Sequence, residues 1–242
     1  MFSEGFRVKV AYLIEPPFNY LDNTGAVTGC DIALARYVFN QLCISNVEFI
    51  ETEFAELLPG LARGDWQMTT GLFASRERKQ RALFSRPIWV LPDGLLVRAE
   101  DATGITGYLS VATAGDLKLA VIRDQLQHET ALELGVPPEQ IPEFETYADA
   151  ARAVQDGHVT AFASVCRAHE GFLQERCVRD LEVVEVPPCE KPPGFGCFGF
   201  ARTATDLRDR VNQVLNQFIG GSEHRQLMRE FGFSGDEIKR LV

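Results

Sequence analysis

Apolar positions along this chain recur with two alternating periods, and the alternation predicts strand and helix units in turn. Arg7 to Ile14 (RVKVAYLI) reads as a strand. Asp31 to Leu42 reads as a helix whose Ile32, Ala35, Val38, Phe39 and Leu42 share one buried face. Val47 to Ile50 follows as a second strand. Phe54, Leu57, Leu58 and Leu61 mark a short helix that stops at Gly64, a residue type favoured just past a helix end. Trp66 to Thr70 is a third strand, which delivers the chain into a loop beginning at Gly71.

Beyond Pro92-Asp93-Gly94 the chain runs extended through Leu95 to Arg98 and then crosses a Gly- and Thr-containing stretch. A second set of units begins near Leu117. Leu119 to Ile122 is a strand, Leu126 to Leu134 a helix, and Thr146 with Asp149 a cap-and-acid pair opening a helix that ends at Gly157. Val159 to Val165 and Leu181 to Val186 are strands. Pro187, Pro188, Pro192 and Pro193 mark a stiff connection, Leu207 to Phe218 a long amphipathic helix, and Ser234 with Glu237 a capping box. The expected class is α/β with largely parallel sheets, in two lobes. Residues 1–94 and 195–242 form lobe one, residues 95–194 form lobe two, and a central cleft lies between them. Ligands of open α/β sheets settle beyond the carboxyl ends of strands, which is where the Gly71 segment falls.

Composition narrows the function. A chain of 242 residues with 45% hydrophobic and 24% charged residues is ordinary for a globular protein. A net charge of −10 excludes nucleic acid as a partner, because phosphate contacts need a basic surface. No apolar run reaches the roughly 18 residues of a membrane span. Met1 to Gly5 lacks the basic and apolar regions of a signal peptide, so the chain is either cytoplasmic or carries a methionine in place of a removed signal. Six cysteines are too sparse for a disulfide scaffold. They read as free, mostly buried thiols, with Cys189 and Cys197 the pair weighed for a bridge.

The segment Gly71-Leu72-Phe73-Ala74-Ser75-Arg76-Glu77-Arg78, followed by Phe84-Ser85, carries the candidate chemistry. An arginine near a helix start can clamp a carboxylate through two parallel hydrogen bonds, and an aromatic face can meet a cationic or apolar group on the same ligand. The alternative for Arg78 is solvation, and for Phe73 core packing. Two other motifs are set aside. Gly194-Phe195-Gly196-Cys197-Phe198-Gly199 matches G-x-G-x-x-G, but two prolines precede it and alternating aromatics continue it as a strand, so no dinucleotide cofactor is expected. Cys166-x-x-His169 with Cys177 lacks the fourth ligand of a structural zinc site, and no metal is expected.

These residues resemble the periplasmic solute-binding proteins of polar amino-acid ABC importers, the bacterial extracellular solute-binding family 3, over essentially the whole chain. The resemblance rests on Pro17-Phe18 with Gly29-Cys30-Asp31, on Phe54 to Leu61, and on Gly71 to Arg78 with Phe84-Ser85. It implies two lobes that close on a ligand by a hinge motion. It also implies that Arg78 binds the ligand α-carboxylate and that Phe54 stacks on the ligand.

The departures bear on the ligand. Where the family has Ser or Thr, this chain has Phe73. Where it has a Gly-Thr at a helix start in lobe two, this chain has Asp124-Gln125, and Val165 stands near the position of the aspartate that binds an α-ammonium. A ligand ammonium without a buried carboxylate partner is costly to desolvate, which argues against an ordinary α-amino acid. An aromatic at Phe73 with Arg78 retained is similar to the ectoine/hydroxyectoine-binding branch, in which an aromatic box holds a delocalised cation. Phe54 and Phe73 would be two walls, with Phe18 or Tyr20 a third. Glu15 either offers a carboxylate to a cationic ligand or is a solvated loop acid.

The function implied is that of a monomeric, non-enzymatic, periplasmic or extracellular protein with no cofactor. It would bind a small zwitterionic solute and hand it to the membrane permease of an ABC importer. One alternative is an enzyme of the cyclohexadienyl dehydratase type on the same fold, with Asp124, Glu170 or Glu190 as general acid. Another is the sensory ligand-binding domain of a receptor.

Overall fold

The computed structural model describes residues 7–242. In chain order the elements are β1 (Val8–Tyr12), β2 (Tyr20–Leu21), β3 (Val27–Thr28), α1 (Cys30–Gln41), β4 (Val47–Glu51), a single 3-10 turn (Phe54–Glu56) leading into α2 (Leu57–Arg63), β5 (Met68–Phe73), α3 (Arg78–Arg81) and β6 (Leu83–Leu91). Then come β7 (Asp93–Arg98), α4 (Tyr108–Thr113), β8 (Leu119–Ile122), α5 (Leu126–Glu133), β9 (Glu143–Phe144), α6 (Tyr147–Gln155), β10 (Ala161–Val165), α7 (Cys166–Arg176) and β11 (Leu181–Glu185). The chain closes with β12 (Gly194–Phe200), α8 (Thr205–Phe218), α9 (Ser222–Glu230) and α10 (Gly235–Lys239). Among the described residues no helix is long and apolar enough to cross a membrane.

The described residues form two compact units, one running to Val90 and resuming over Phe195–Val242, the other Leu91–Gly194. The first has a five-stranded sheet in the order β4-β1-β5-β12-β6, beside a small β2–β3 ribbon. The β1 strand runs parallel to β4 and β5, as successive β-α-β connections require, but β12 returns antiparallel to β5. In the second unit the order is β11-β7-β10-β8-β9; β8 is parallel to β9 and β10, while β7 is antiparallel to β10 and β11. Both sheets are therefore mixed rather than largely parallel. The correction comes from strands that enter from across the chain, whose direction no local pattern announces.

Each unit has its own core. Leu57, Leu61, Trp66, Leu72, Phe84 and Cys197 meet on one side of the first sheet, with Phe54 and Ala74 packed at their edge. Leu95, Val97, Tyr108, Val121 and Ala161 anchor the core of the second. The helix stop at Gly64 has the left-handed conformation that glycine adopts without strain. Thr146 accepts from the Asp149 amide, and Ser234 forms a full capping box with Glu237.

Candidate functional site

The β5 strand extends through Phe73, further than sequence periodicity indicated. Gly71 pairs with Phe198 and Phe73 with Gly196, so these two candidate residues lie in the sheet and the loop starts after them. The loop is short. Its Ser75 amide donates to the Phe73 carbonyl (3.0 Å), and the Ser75 hydroxyl accepts from the Arg78 amide (3.2 Å) at the start of α3.

Arg78 is 6% exposed. Its Nη1 donates to the Phe73 carbonyl oxygen (3.1 Å), and its guanidinium carbon lies 5.2 Å from the centroid of the Phe54 ring. A planar, permanently charged donor fork is thus held by a carbonyl on one side and an aromatic face on another. Phe54 and Phe73 are both half-buried. The structure brings Phe54, Arg78 and Phe73 into one contact group, although the sequence spreads them over three elements.

A tryptophan that sequence reasoning did not single out supports this group. Trp89, on β6, meets Phe73 edge-on (centroids 5.5 Å apart, 77° between planes) and Phe18 at 5.2 Å. Phe18 is buried, packs also against Phe233, and connects to Phe73 through Trp89. The indole lies over two strands that carry glycine where it passes. A Cβ on Gly71 would stand 2.9 Å from Trp89 Nε1, and one on Gly196 would overlap the ring. Aspartate 31 fixes the indole. Its Oδ1 accepts from Trp89 Nε1 (3.1 Å) and from the Cys30 thiol (3.5 Å), and its Oδ2 accepts from the Gly71 amide (2.7 Å). Complete burial pushes the Asp31 carboxyl up to about 6, against the hydrogen bonds from Gly71, Trp89 and Cys30 that pull it down. The one sequence signal for this role is an acid set between Cys30 and Ile32 at the start of an apolar helix face.

The remaining expected residues fall in two places. Glu15 is half-buried and belongs to a tight turn in which its amide donates to the Asn19 carbonyl (2.8 Å) and its carbonyl accepts from Phe18 (3.0 Å). Tyr20 is half-buried on β2, opposite Thr28. In the second unit Asp124 is exposed, in the left-handed region (φ 62°). Gln125 is buried at the N-cap position of α5, where its Oε1 has no hydrogen-bond partner. Val165 is buried at the end of β10, so that position carries no charge. The candidate general acids have other engagements: Glu170 pairs with Arg167 (2.7 Å), and Glu190 accepts from the Leu109 amide (3.1 Å).

The two set-aside motifs have structural explanations. Gly194 to Gly199 is β12, a sheet strand. His169 accepts from the Tyr147 hydroxyl at Nδ1 and donates from Nε2 to the Gly94 carbonyl (3.1 Å), and burial pushes its pKa down to about 3. Cys166 donates to the Asp93 carbonyl (3.2 Å). All six cysteines are free. The bridge weighed between Cys189 and Cys197 is not formed: Cys197 is buried in the first unit's core and Cys189 is exposed in the second unit.

Comparison with known proteins finds likeness over nearly the whole chain. A probable amino-acid ABC transporter periplasmic-binding protein of Sinorhizobium fredii is 30% identical over 240 residues, covering 97% of this chain and 79% of the relative. The crystal structure of EhuB in complex with hydroxyectoine superposes with a TM-score of 0.87 at 23% identity, covering 98% of this chain and 92% of that one. ArtJ of Geobacillus stearothermophilus, an arginine-, lysine-, histidine-binding protein, superposes with a TM-score of 0.85 at 20% identity, covering 98% of this chain and 99% of its own. These two likenesses speak for the two-lobed α/β fold. Residues 8–234 match the model of the bacterial extracellular solute-binding proteins, family 3, and the chain belongs to that family.

Proposed function

We propose that the protein captures a small carboxylate-bearing zwitterion outside the cytoplasmic membrane and delivers it to the permease of an ABC importer, without chemical turnover. The observation that carries the reading is the buried Arg78 guanidinium, braced by the Phe73 carbonyl and the Phe54 ring. Burial matters because a carboxylate meeting an arginine in a site of low dielectric gains far more than one meeting it in water. The Phe54 ring lies against that arginine and the half-buried Phe73 ring lies against Trp89, and partly open aromatic surface of this kind suits a compact delocalised or quaternary cation. The buried, uncharged Val165, where the family resemblance places an ammonium-binding aspartate, speaks against a ligand with a primary ammonium. Solutes of the ectoine and betaine class have the matching chemistry.

A thermal-shift panel tests this, comparing hydroxyectoine, glycine betaine, arginine, glutamine and glutamate. A solute at a hundred times its dissociation constant adds about 2.7 kcal/mol of stability, a midpoint shift of about 5–10 °C for a chain of this size. The largest shift is expected from hydroxyectoine or betaine. A larger shift from glutamine or arginine overturns the ligand class, and steady conversion of prephenate or arogenate overturns the binding-only role.

A further inference from the structure

Asp31 sits at the meeting point of three elements that together hold the aromatic part of the site. It stands in the first turn of α1, a position whose helix dipole favours a negative charge. Its own amide donates to the Phe18 carbonyl (3.1 Å), and its two carboxylate oxygens accept from the β5 strand at Gly71 and from the Trp89 indole on β6. Gly71 is two residues before Phe73, whose carbonyl holds Arg78. Trp89 touches the rings of both Phe73 and Phe18. The carboxylate thereby ties α1 to two neighbours of the Phe73–Arg78 pair, the Gly71 amide and the Trp89 ring.

We infer that Asp31 is a positioning residue for the ligand site: its carboxylate, tied at once to the Gly71 amide and the Trp89 indole, sets the placement of Phe73 and Arg78 and thereby the affinity for the solute. This rests on the assignment of Arg78 and Phe73 to ligand binding made above. The requirement is for an anion specifically. Two N–H donors converge on two oxygens, so an asparagine offers one acceptor and turns its own NH2 group against the second donor. A buried donor left unmet is costly, and the indole or the strand must shift to relieve it. Proton uptake at the carboxyl does the same, replacing one acceptor with a donor. The groups that act on this charge are the Gly71 amide, the Trp89 indole and, from α1, the Cys30 thiol, itself held protonated by burial; no cation is among them. The carboxyl therefore titrates near 6, within reach of ordinary acidification of the medium.

The test reads the positioning with and without a solute. In nitrogen-15 spectra of the ligand-free protein, the Trp89 indole, the Gly71 amide, and the Phe73 and Arg78 amides are expected to move together between about pH 5 and 7, with one midpoint set by burial. In Asp31→Asn that common titration is absent. Hydroxyectoine affinity measured by calorimetry is expected to tighten as pH rises through the same midpoint in the wild type. In Asp31→Asn it should be about ten- to a hundredfold weaker and flat with pH. Trp89→Phe keeps an aromatic ring and removes one donor. It is expected to fold, to weaken binding about tenfold, and to move the midpoint upward, because the carboxylate loses a bond that favours its charged form. A structural role alone would lower the melting temperature without moving a midpoint. The inference is overturned if the Phe73 and Arg78 signals ignore the titration that the indole reports. It is also overturned if folded Trp89→Phe keeps the wild-type midpoint. If no solute binds the wild type, the ligand assignment fails, and the ligand-free spectra still decide whether Asp31 positions these residues.

Discussion

Replacing Arg78 by alanine separates a buried carboxylate clamp from a surface charge. An exposed ion pair is worth about 1 kcal/mol or less, which is about fivefold in a dissociation constant. Arg78 is 6% exposed, and one face of its guanidinium is occupied by the Phe54 ring. A carboxylate received there exchanges water for charge-assisted hydrogen bonds worth about 1.5–3 kcal/mol each. Two parallel bonds that are less than additive give about 3–4 kcal/mol, or a loss of about two to three orders of magnitude in affinity for Arg78→Ala. Arg78→Lys keeps the charge and loses the fork, and is expected to fall between, about tenfold weaker than wild type. The assay is isothermal calorimetry with the solute that gives the largest thermal shift. Ligand-free melting curves run beside it should move little: the alanine variant loses the bond to Phe73 but also removes a buried charge. Binding of Arg78→Ala within about fivefold of wild type, with an unchanged fold, refutes the clamp.

Two further outcomes follow from the geometry. Gly196→Ala places a methyl group into the Trp89 ring and is expected to cost about 1–3 kcal/mol in urea unfolding, together with a loss of solute affinity as Phe73 shifts. Two buried groups, one in each unit, have opposite pH dependences. His169, pushed down to about 3 from 6.5, stabilises fully above pH 6.5, and that contribution, about 5 kcal/mol in all, is lost as pH falls toward 3; His169→Gln should flatten this acid limb. Asp31, pushed up from 3.8 to about 6, stabilises fully below pH 4, and that contribution, about 3 kcal/mol, is lost as pH rises through 6. Unfolding curves from pH 4 to 7 should show this fall in the wild type, and Asp31→Asn, with no proton to lose there, should lack it.

Much of the fold was legible because long helices and central strands declare themselves by period. The α1 and α8 faces, the Gly64 stop and the Ser234 capping box follow directly from residue type and spacing. Elements with short or mostly polar patterns did not stand out. The six residues of α4 follow a glycine-containing stretch, and α9 carries few apolar residues over its nine. Gly71 looked like the start of a loop because glycine weakens a strand pattern. It lies within β5 because the neighbouring indole fills the space a side chain would take. The site divides along the same line. Arg78 and Phe73 could be picked out by chemistry and by family resemblance. The partners of Asp31 lie 40 and 58 residues away, so no window of sequence shows that its charge is shared between them.

The strand order of the first unit also sets a sequence of events in time. The β12 strand lies between β5 and β6, and its Phe198 amide is received by the Ser85 hydroxyl from 113 residues earlier in the chain. As the chain emerges during synthesis, residues 91–194 are complete as a contiguous unit before the strand that Phe73 pairs with has been made. Until then Trp89 has no Gly196 to lie over, and the first unit's sheet has a gap at its fourth position. The unit encoded first is thus the one that finishes last, and the Phe73–Trp89 cluster is among its late-forming parts.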